Sequence, residues 1–300
     1  MNLKDESWYR LTRPHTLTAA VMPVLIGTAM GFADGTVDVA LFAAMLIASV
    51  LIQSAVNMFN EYFDFKRGLD TAESVGIGGV IVNKEMEERT VLLTAVAFFS
   101  VSVLLGVYVC ARTTWWIAVV GSASMFIGYL YSAGPRPLAY TSFGELAAGI
   151  FMGPVIVLIS YFVQTRRMTL DAVLISVPIS ILVAAILMAN NIRDALPDSQ
   201  KGRRTLAVLW GKTRATSFLG WMFACAMLWT IGLVMYRLLS PWTLIVLLSL
   251  PKAVQSVRSF KKGNTPGEML PAMKAASVLH SQFGLLLTLG IVLGKYLPVH

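Results

Sequence analysis

Nine apolar runs divide this 300-residue chain, at about 17–33, 38–63, 91–111, 115–132, 143–163, 170–190, 215–236, 241–251 and 275–294; most approach or exceed the roughly 18 residues that read as a bilayer-spanning helix. In hydrocarbon every backbone donor and acceptor must be satisfied internally, so runs of this length fold as helices and not as open strands or loops. Composition agrees, since 56% of the residues are hydrophobic and 13% charged, against about a quarter charged in soluble domains. The expected fold class is all-α: a polytopic membrane protein of about nine transmembrane helices. The eighth run, Pro241 to Pro251, is the shortest. The longest polar connections, 64–90, 191–214 and 252–274, are too short to bury a core of their own, so residues 1–300 are expected to form a single transmembrane domain.

Charge orients the helices. With the N-terminus inside and nine crossings, all but five of the 24 Lys and Arg fall in cytoplasmic segments, the five being Arg112, Arg166, Arg167, Arg237 and Lys295. The positive-inside rule therefore places the N-terminus in the cytoplasm and the C-terminus outside. The net charge of +8 is spread over short loops, so it reads as topology and not as a nucleic-acid surface. The partner implied is the lipid bilayer of the cell membrane. The first run follows a polar segment containing acids and reads as a retained helix, not a secretory leader. Trp8, Tyr9, Arg10 and Arg13 before it suit an interfacial helix. Cys110 and Cys225 lie inside apolar runs without metal-ligand spacing and read as core packing.

Two carboxylate clusters interrupt this pattern where a span meets a basic loop. In the first, Asn57, Asn60, Glu61 and Asp64 recur at intervals of three and four, which puts them on one helix face, and Asp70 follows the Gly68 turn. In the second, Asn190, Asp194 and Asp198 repeat the four-residue step. Pro197 disfavours helical backbone at Leu196, which predicts a turn within this cluster. The two clusters end the second and sixth spans, so both open on the same membrane side, as a parallel repeat around a shared central cavity requires. Ionisable groups at mid-helix cost roughly 2.5–3.5 kcal/mol each in a bilayer, which calls for a compensating partner.

Magnesium is a natural one, because it takes oxygen ligands and commonly binds through one or two carboxylates plus substrate phosphates. Lys66, Arg67, Arg193, Lys201, Arg203 and Arg204 flank the clusters and suit the outer oxygens of a diphosphate. A long hydrocarbon on such a substrate would lie along the apolar helices. For an allylic diphosphate, the cation and basic groups stabilise the departing anion, and rings such as Tyr62, Phe63, Phe65, Tyr129 and Tyr131 can shield the carbocation; each also suits packing. The segment Thr71–Val82 mixes three glycines with apolar residues and can serve as a lid or as a connector.

Beyond the acids, Arg13-Pro-His-Thr-Leu17, Pro23-Val-Leu-Ile-Gly27, Asn60-Glu-Tyr-Phe-Asp-Phe-Lys-Arg-Gly-Leu-Asp70, Gly134-Pro-Arg-Pro137 with Gly144-Glu145, and Asn190-Asn-Ile-Arg-Asp194 with Gly202-Arg-Arg-Thr-Leu206 follow one another in order. In these motifs the chain resembles the intramembrane aromatic prenyltransferase (UbiA) superfamily, and within it the branch whose acceptor is 1,4-dihydroxy-2-naphthoate. The resemblance covers nearly the whole chain. It implies nine helices, a Mg2+-bound polyprenyl diphosphate, and transfer onto 1,4-dihydroxy-2-naphthoate with loss of carbon dioxide in menaquinone biosynthesis, at a cytoplasmic active site. Carried over, the metal-binding positions are Asn60, Glu61, Asp64, Asp70, Asp194 and Asp198, with Asn60, Asp64, Asn190 and Asp194 catalytic. Glu61 stands where Asp is usual, which lengthens its reach. Arg136 between two prolines, His15 and Tyr131 are further substrate-binding candidates; Arg136 also reads as a topology charge and His15 as an interfacial residue. Two alternatives stay open: another acceptor within the superfamily, such as 4-hydroxybenzoate or haem, and a transporter, against which stand acids at helix ends and not at mid-bilayer.

Overall fold

A computed structural model of the chain describes residues 3–69 and 78–298. The described residues form α1 (Leu3–Thr12), α2 (Pro14–Ala33), α3 (Val39–Lys66), α4 (Glu88–Arg112), α5 (Trp116–Ser132), a 3-10 turn (Leu138–Tyr140), α6 (Gly144–Met152), α7 (Pro154–Thr165), α8 (Leu170–Gln200), α9 (Leu206–Met235), a 3-10 segment (Pro241–Ser249), α10 (Leu250–Lys262) and α11 (Pro266–Tyr296), with no strand among them. The chain is thus all-α. Every apolar run of the sequence becomes helical, and Trp8 and Arg10 lie on the separate short helix α1.

Seven helical segments are long and apolar enough to cross a membrane, α6 and α7 counting together as Gly144–Thr165. The protein is therefore multi-pass. The fourth run is the shorter helix Trp116–Ser132, about 25 Å long at 1.5 Å per residue. The eighth run enters as 3-10 backbone and continues into α10, whose last turn carries Lys261 and Lys262. Threonines start several of the long helices. Thr169, Thr205 and Thr265 accept hydrogen bonds from the N–H groups of Ala172, Val208 and Glu268, satisfying one orphan donor at each N-terminus.

Chain contacts resolve two compact units, residues 1–17 with 43–140, and residues 18–42 with 141–300. In the first, Leu11, Met58, Phe59, Val80, Ile81, Val91 and Ala95 form one buried cluster, and Phe59 meets Phe99 and Tyr129 edge-on at 5.2 and 5.4 Å between centroids. In the second, α8 packs against α9, α11, α6 and α7. Small residues let backbones approach closely there, as in membrane helix packing generally. A Cβ on Gly27 would lie 2.3 Å from the Val157 carbonyl oxygen, and one on Gly153 would lie 2.6 Å from the Cα of Ser180. Gly153 is also the break between α6 and α7.

The structure corrects two expectations. The helix does not turn at Leu196; α8 continues through Pro197 to Gln200. Proline so near a C-terminus removes only one helical hydrogen bond. The stop comes later, where Lys201 and Arg203 donate N–H bonds to the Asp198 carbonyl and Gly202 takes φ +75°. Cys225 is exposed on α9 while Cys110 is buried. An apolar run facing lipid carries the same composition as one facing protein, so sequence alone does not separate them.

Candidate active site

In the first unit the acidic face of α3 forms as the spacing predicts, and its members divide into distinct roles. Glu61 is 1% exposed. Its Oε2 accepts from the Arg13 guanidinium at 3.1 Å and its Oε1 from the Gly79 N–H at 2.7 Å. Gly78 must be glycine here, since a Cβ would stand 2.3 Å from the Glu61 carboxylate and 2.6 Å from the Arg13 guanidinium. The same segment is held from outside by Arg10, which donates to the Gly78 carbonyl at 2.9 Å and pairs with Glu85. Glu61 thus ties α1 and the glycine segment to α3. That occupation makes it a fastening residue more than a free metal ligand.

The oxygens of Asn60 and Asp64 are engaged as well, by side chains. Asn60 accepts from Arg13 at 3.0 Å and donates to Asp64 Oδ2 at 3.1 Å, while Asp64 Oδ1 accepts from the Tyr140 hydroxyl at 2.8 Å. Below them Asn57 donates to the Thr12 carbonyl and the Thr16 hydroxyl, each at 2.9 Å. Helix α3 then ends at Lys66 and Gly68 turns with φ +65°. Asp70 and the following residues to 77 lie outside the described residues, as does most of the expected lid.

The basic residues of this unit part company. Lys66 pairs with Glu88 at 2.8 Å. Arg67 donates to the carbonyls of Ser132 and Gly134 at 2.6 and 2.8 Å and to the Tyr140 hydroxyl at 3.2 Å, with its guanidinium over the rings of Phe63 and Tyr140. It pins the connection after α5 that carries exposed Arg136. His15 lies in the first turn of α2 and Tyr131 near the end of α5, both half-buried.

In the second unit Asn190, Asp194 and Asp198 lie on one stretch of α8. Arg193 grips Asp194 through two bonds of 2.5 and 2.7 Å, and Arg203 reaches Asp198 at 3.2 Å. Lys201 and Arg204 are exposed at the turn beyond. Asn191, three residues before Asp194 on the same helix, donates to Glu145 Oε1 at 2.8 Å. Glu145 is buried on α6, and its Oε2 meets no hydrogen-bond donor.

Among the described residues no group of three or more His, Cys, Asp or Glu could hold a metal alone. The donor chemistry nevertheless fits magnesium: carboxylate and amide oxygens in pairs, no sulfur or imidazole, and guanidinium groups beside them for phosphate. Arg13, Tyr140 and Glu145 were not assigned these roles from sequence. The partners of Arg13 and Tyr140 lie 48 and 76 residues away, beyond any local spacing rule. The strings Arg13-Pro-His and Gly144-Glu145 were the only signals.

Comparison with known proteins identifies this arrangement. Residues 20–278 match the UbiA prenyltransferase family. The chain belongs to that family. Among its relatives, the 1,4-dihydroxy-2-naphthoate octaprenyltransferase of Bacillus subtilis (strain 168) is 50% identical over 96% of this chain and 93% of its own. The enzyme of the same name from Mycobacterium tuberculosis is 30% identical over 89% of this chain and 90% of its own. Two UbiA homologues of known structure share the fold at 17% identity. One is from Archaeoglobus fulgidus bound to GPP and Mg2+, with TM-score 0.65 over 94% of this chain and 99% of that one. The other is the apo protein from Aeropyrum pernix K1, with TM-score 0.66 over 93% and 98%.

Proposed function

We propose that this UbiA-family protein transfers a polyprenyl group from polyprenyl diphosphate to 1,4-dihydroxy-2-naphthoate, releasing diphosphate and carbon dioxide and giving demethylmenaquinol, the reduced form of demethylmenaquinone. The 50% identity to the Bacillus subtilis octaprenyltransferase over nearly the whole chain carries this reading. Asn60 and Asp64 on α3, and Asn190, Asp194 and Asp198 on α8, would hold Mg2+ with the diphosphate; Asp70 is proposed with them. The bound metal supplies Lewis-acid stabilisation of the leaving diphosphate. Arg193 and Arg203, seated on Asp194 and Asp198, stand where a diphosphate at those carboxylates meets bidentate donors. The allylic C–O bond breaks with its electron pair on the diphosphate. The acceptor carbon bearing the carboxylate then attacks the allylic carbon, and the C–CO2 bond breaks to restore the ring.

Residues 1–300 work as one transmembrane domain on this reading, because each unit holds only one of the two acidic motifs. The basic loops beside both motifs favour a cytoplasmic active site in the cell membrane, with the C-terminus outside. His15, Arg136 and Tyr131 are proposed on the acceptor side, Lys201 and Arg204 on the diphosphate side. Lys66 and Arg67 act instead through the contacts they already make.

Acceptor labelled in its carboxylate should release one labelled carbon dioxide per prenyl group transferred, and chelation of divalent cations should stop both together, reversibly. Prenyl transfer that retains the label removes the proposed acceptor chemistry. Tyr140→Phe deletes the bond to Asp64 but leaves Arg67 on its two carbonyls. Hydrogen bonds to charged groups contribute about 1.5–3 kcal/mol, so kcat should fall at least tenfold with the unfolding temperature little changed. An unchanged kcat would show that Tyr140 does not orient Asp64.

A further inference from the structure

The stretch from Asp198 to Glu268 contains no acidic residue between those two, yet it carries Lys252, Arg258, Lys261 and Lys262 on α10. Glu268 caps its own helix and accepts from the Asn264 N–H at 2.7 Å. None of the described carboxylates pairs with Arg258 or Lys262. Among the described residues the side chains of this set make one hydrogen bond, from Lys252 to Gln255 at 3.0 Å.

Helix α10 has two opposed faces. Ala253, Ser256 and Phe260 are buried, and Ser256 donates to the Ala272 carbonyl of α11 at 2.9 Å. At about 100° per residue, Pro251, Val254, Gln255, Arg258 and Lys262 fall on the side opposite this buried one. They line an open groove that begins at Leu247 and Leu248 on the preceding 3-10 segment. Leu248 is 72% exposed, Leu250 46% and Val254 40%. The groove is therefore apolar at one end and cationic at the other, with Gln255 between them and Ser259 at the cationic end. A lipid with an acyl chain joined to a negatively charged headgroup matches that order along its length.

We propose that this groove is a binding site for an anionic phospholipid of the surrounding membrane. Its acyl chain lies on Leu247, Leu248, Leu250 and Val254, and its phosphate meets Arg258 and Lys262. The charges match, since basic residues at a membrane surface attract anionic lipid and two of them without acidic partners offer adjacent donors. The site also explains the form of the eighth run. A short apolar segment followed by a basic helix lets a lipid cover apolar surface that protein leaves open.

The test is native mass spectrometry of the full-length protein in detergent, titrated with phosphatidylglycerol or with phosphatidylcholine of the same acyl chains. Phosphatidylglycerol is expected to bind as one retained adduct and phosphatidylcholine more weakly. The double substitution Arg258→Gln/Lys262→Gln should weaken phosphatidylglycerol roughly thirtyfold while prenyl transfer in phosphatidylcholine nanodiscs stays unchanged. A control pair, Arg89→Gln/Arg237→Gln, removes equal charge elsewhere and should leave the adduct intact. Equal binding of both lipids, equal loss in the control pair, or displacement by a prenyl diphosphate but not by phosphatidylglycerol would each overturn the proposal.

Discussion

Asp64→Ala and Asp194→Ala are each expected to lower turnover at least about a thousandfold in protein that still elutes as a single folded species in detergent. The size follows from what is lost. Each substitution removes a carboxylate from one of the two oxygen clusters, and stabilisation of a leaving anion by a metal or preorganised donors is worth several kcal/mol. The fold should tolerate both changes, because neither carboxylate is a central fastening. Asp64 receives Asn60 and Tyr140, and Tyr140 keeps Arg67. Asp194 is paired with its chain neighbour Arg193. Asp64→Asn retains shape and one acceptor oxygen without the charge, so it should resemble Ala in turnover if charge is what matters. A variant of either aspartate with near-normal kcat would contradict a mechanism that needs both clusters.

Arg13→Ala acts on stability, and the expected loss is about 3 kcal/mol, at the low end of the range for breaking a buried pair. Glu61 is almost fully enclosed, with side-chain exposure of 1% against 22% for Arg13. Removing the guanidinium leaves Glu61 with the single Gly79 N–H, so most of the cost is an uncompensated carboxylate. Glu61→Gln in the same chain should recover much of the loss, since the amide oxygen still accepts from Gly79 and carries no charge. Thermal unfolding in detergent of the two single variants and the double variant gives the coupling directly. Additive losses would show that Arg13 and Glu61 are not one unit.

Glu61 also shows where sequence reading stops. Its place on the acidic face of α3 follows from intervals of three and four, and so do the positions of Asn60, Asp64 and Asp194, because helical periodicity is a local property. Its partner does not. Whether a carboxylate on that face reaches inward to Arg13 or outward to a ligand depends on where α1 and the glycine segment pack, which no short-range pattern encodes. Arg67 is a similar case. Beside an acidic motif it reads as a phosphate ligand, yet it fastens the connection after α5 through two carbonyls and a hydroxyl. Backbone acceptors look the same in every sequence. Pro197 was legible but over-weighted, since its steric bias matters less three residues from a helix end. The helical runs themselves were plain, because a bilayer leaves the backbone almost no alternative.

The most direct test of the central claim is mass spectrometry of the product formed by purified protein with magnesium, a polyprenyl diphosphate, and 1,4-dihydroxy-2-naphthoate in competition with 4-hydroxybenzoate. A prenylated naphthalene product that has lost the carboxylate, with hydroxybenzoate untouched, is the predicted result. Prenylated hydroxybenzoate formed in preference, or no prenyl transfer to the naphthoate, would contradict it.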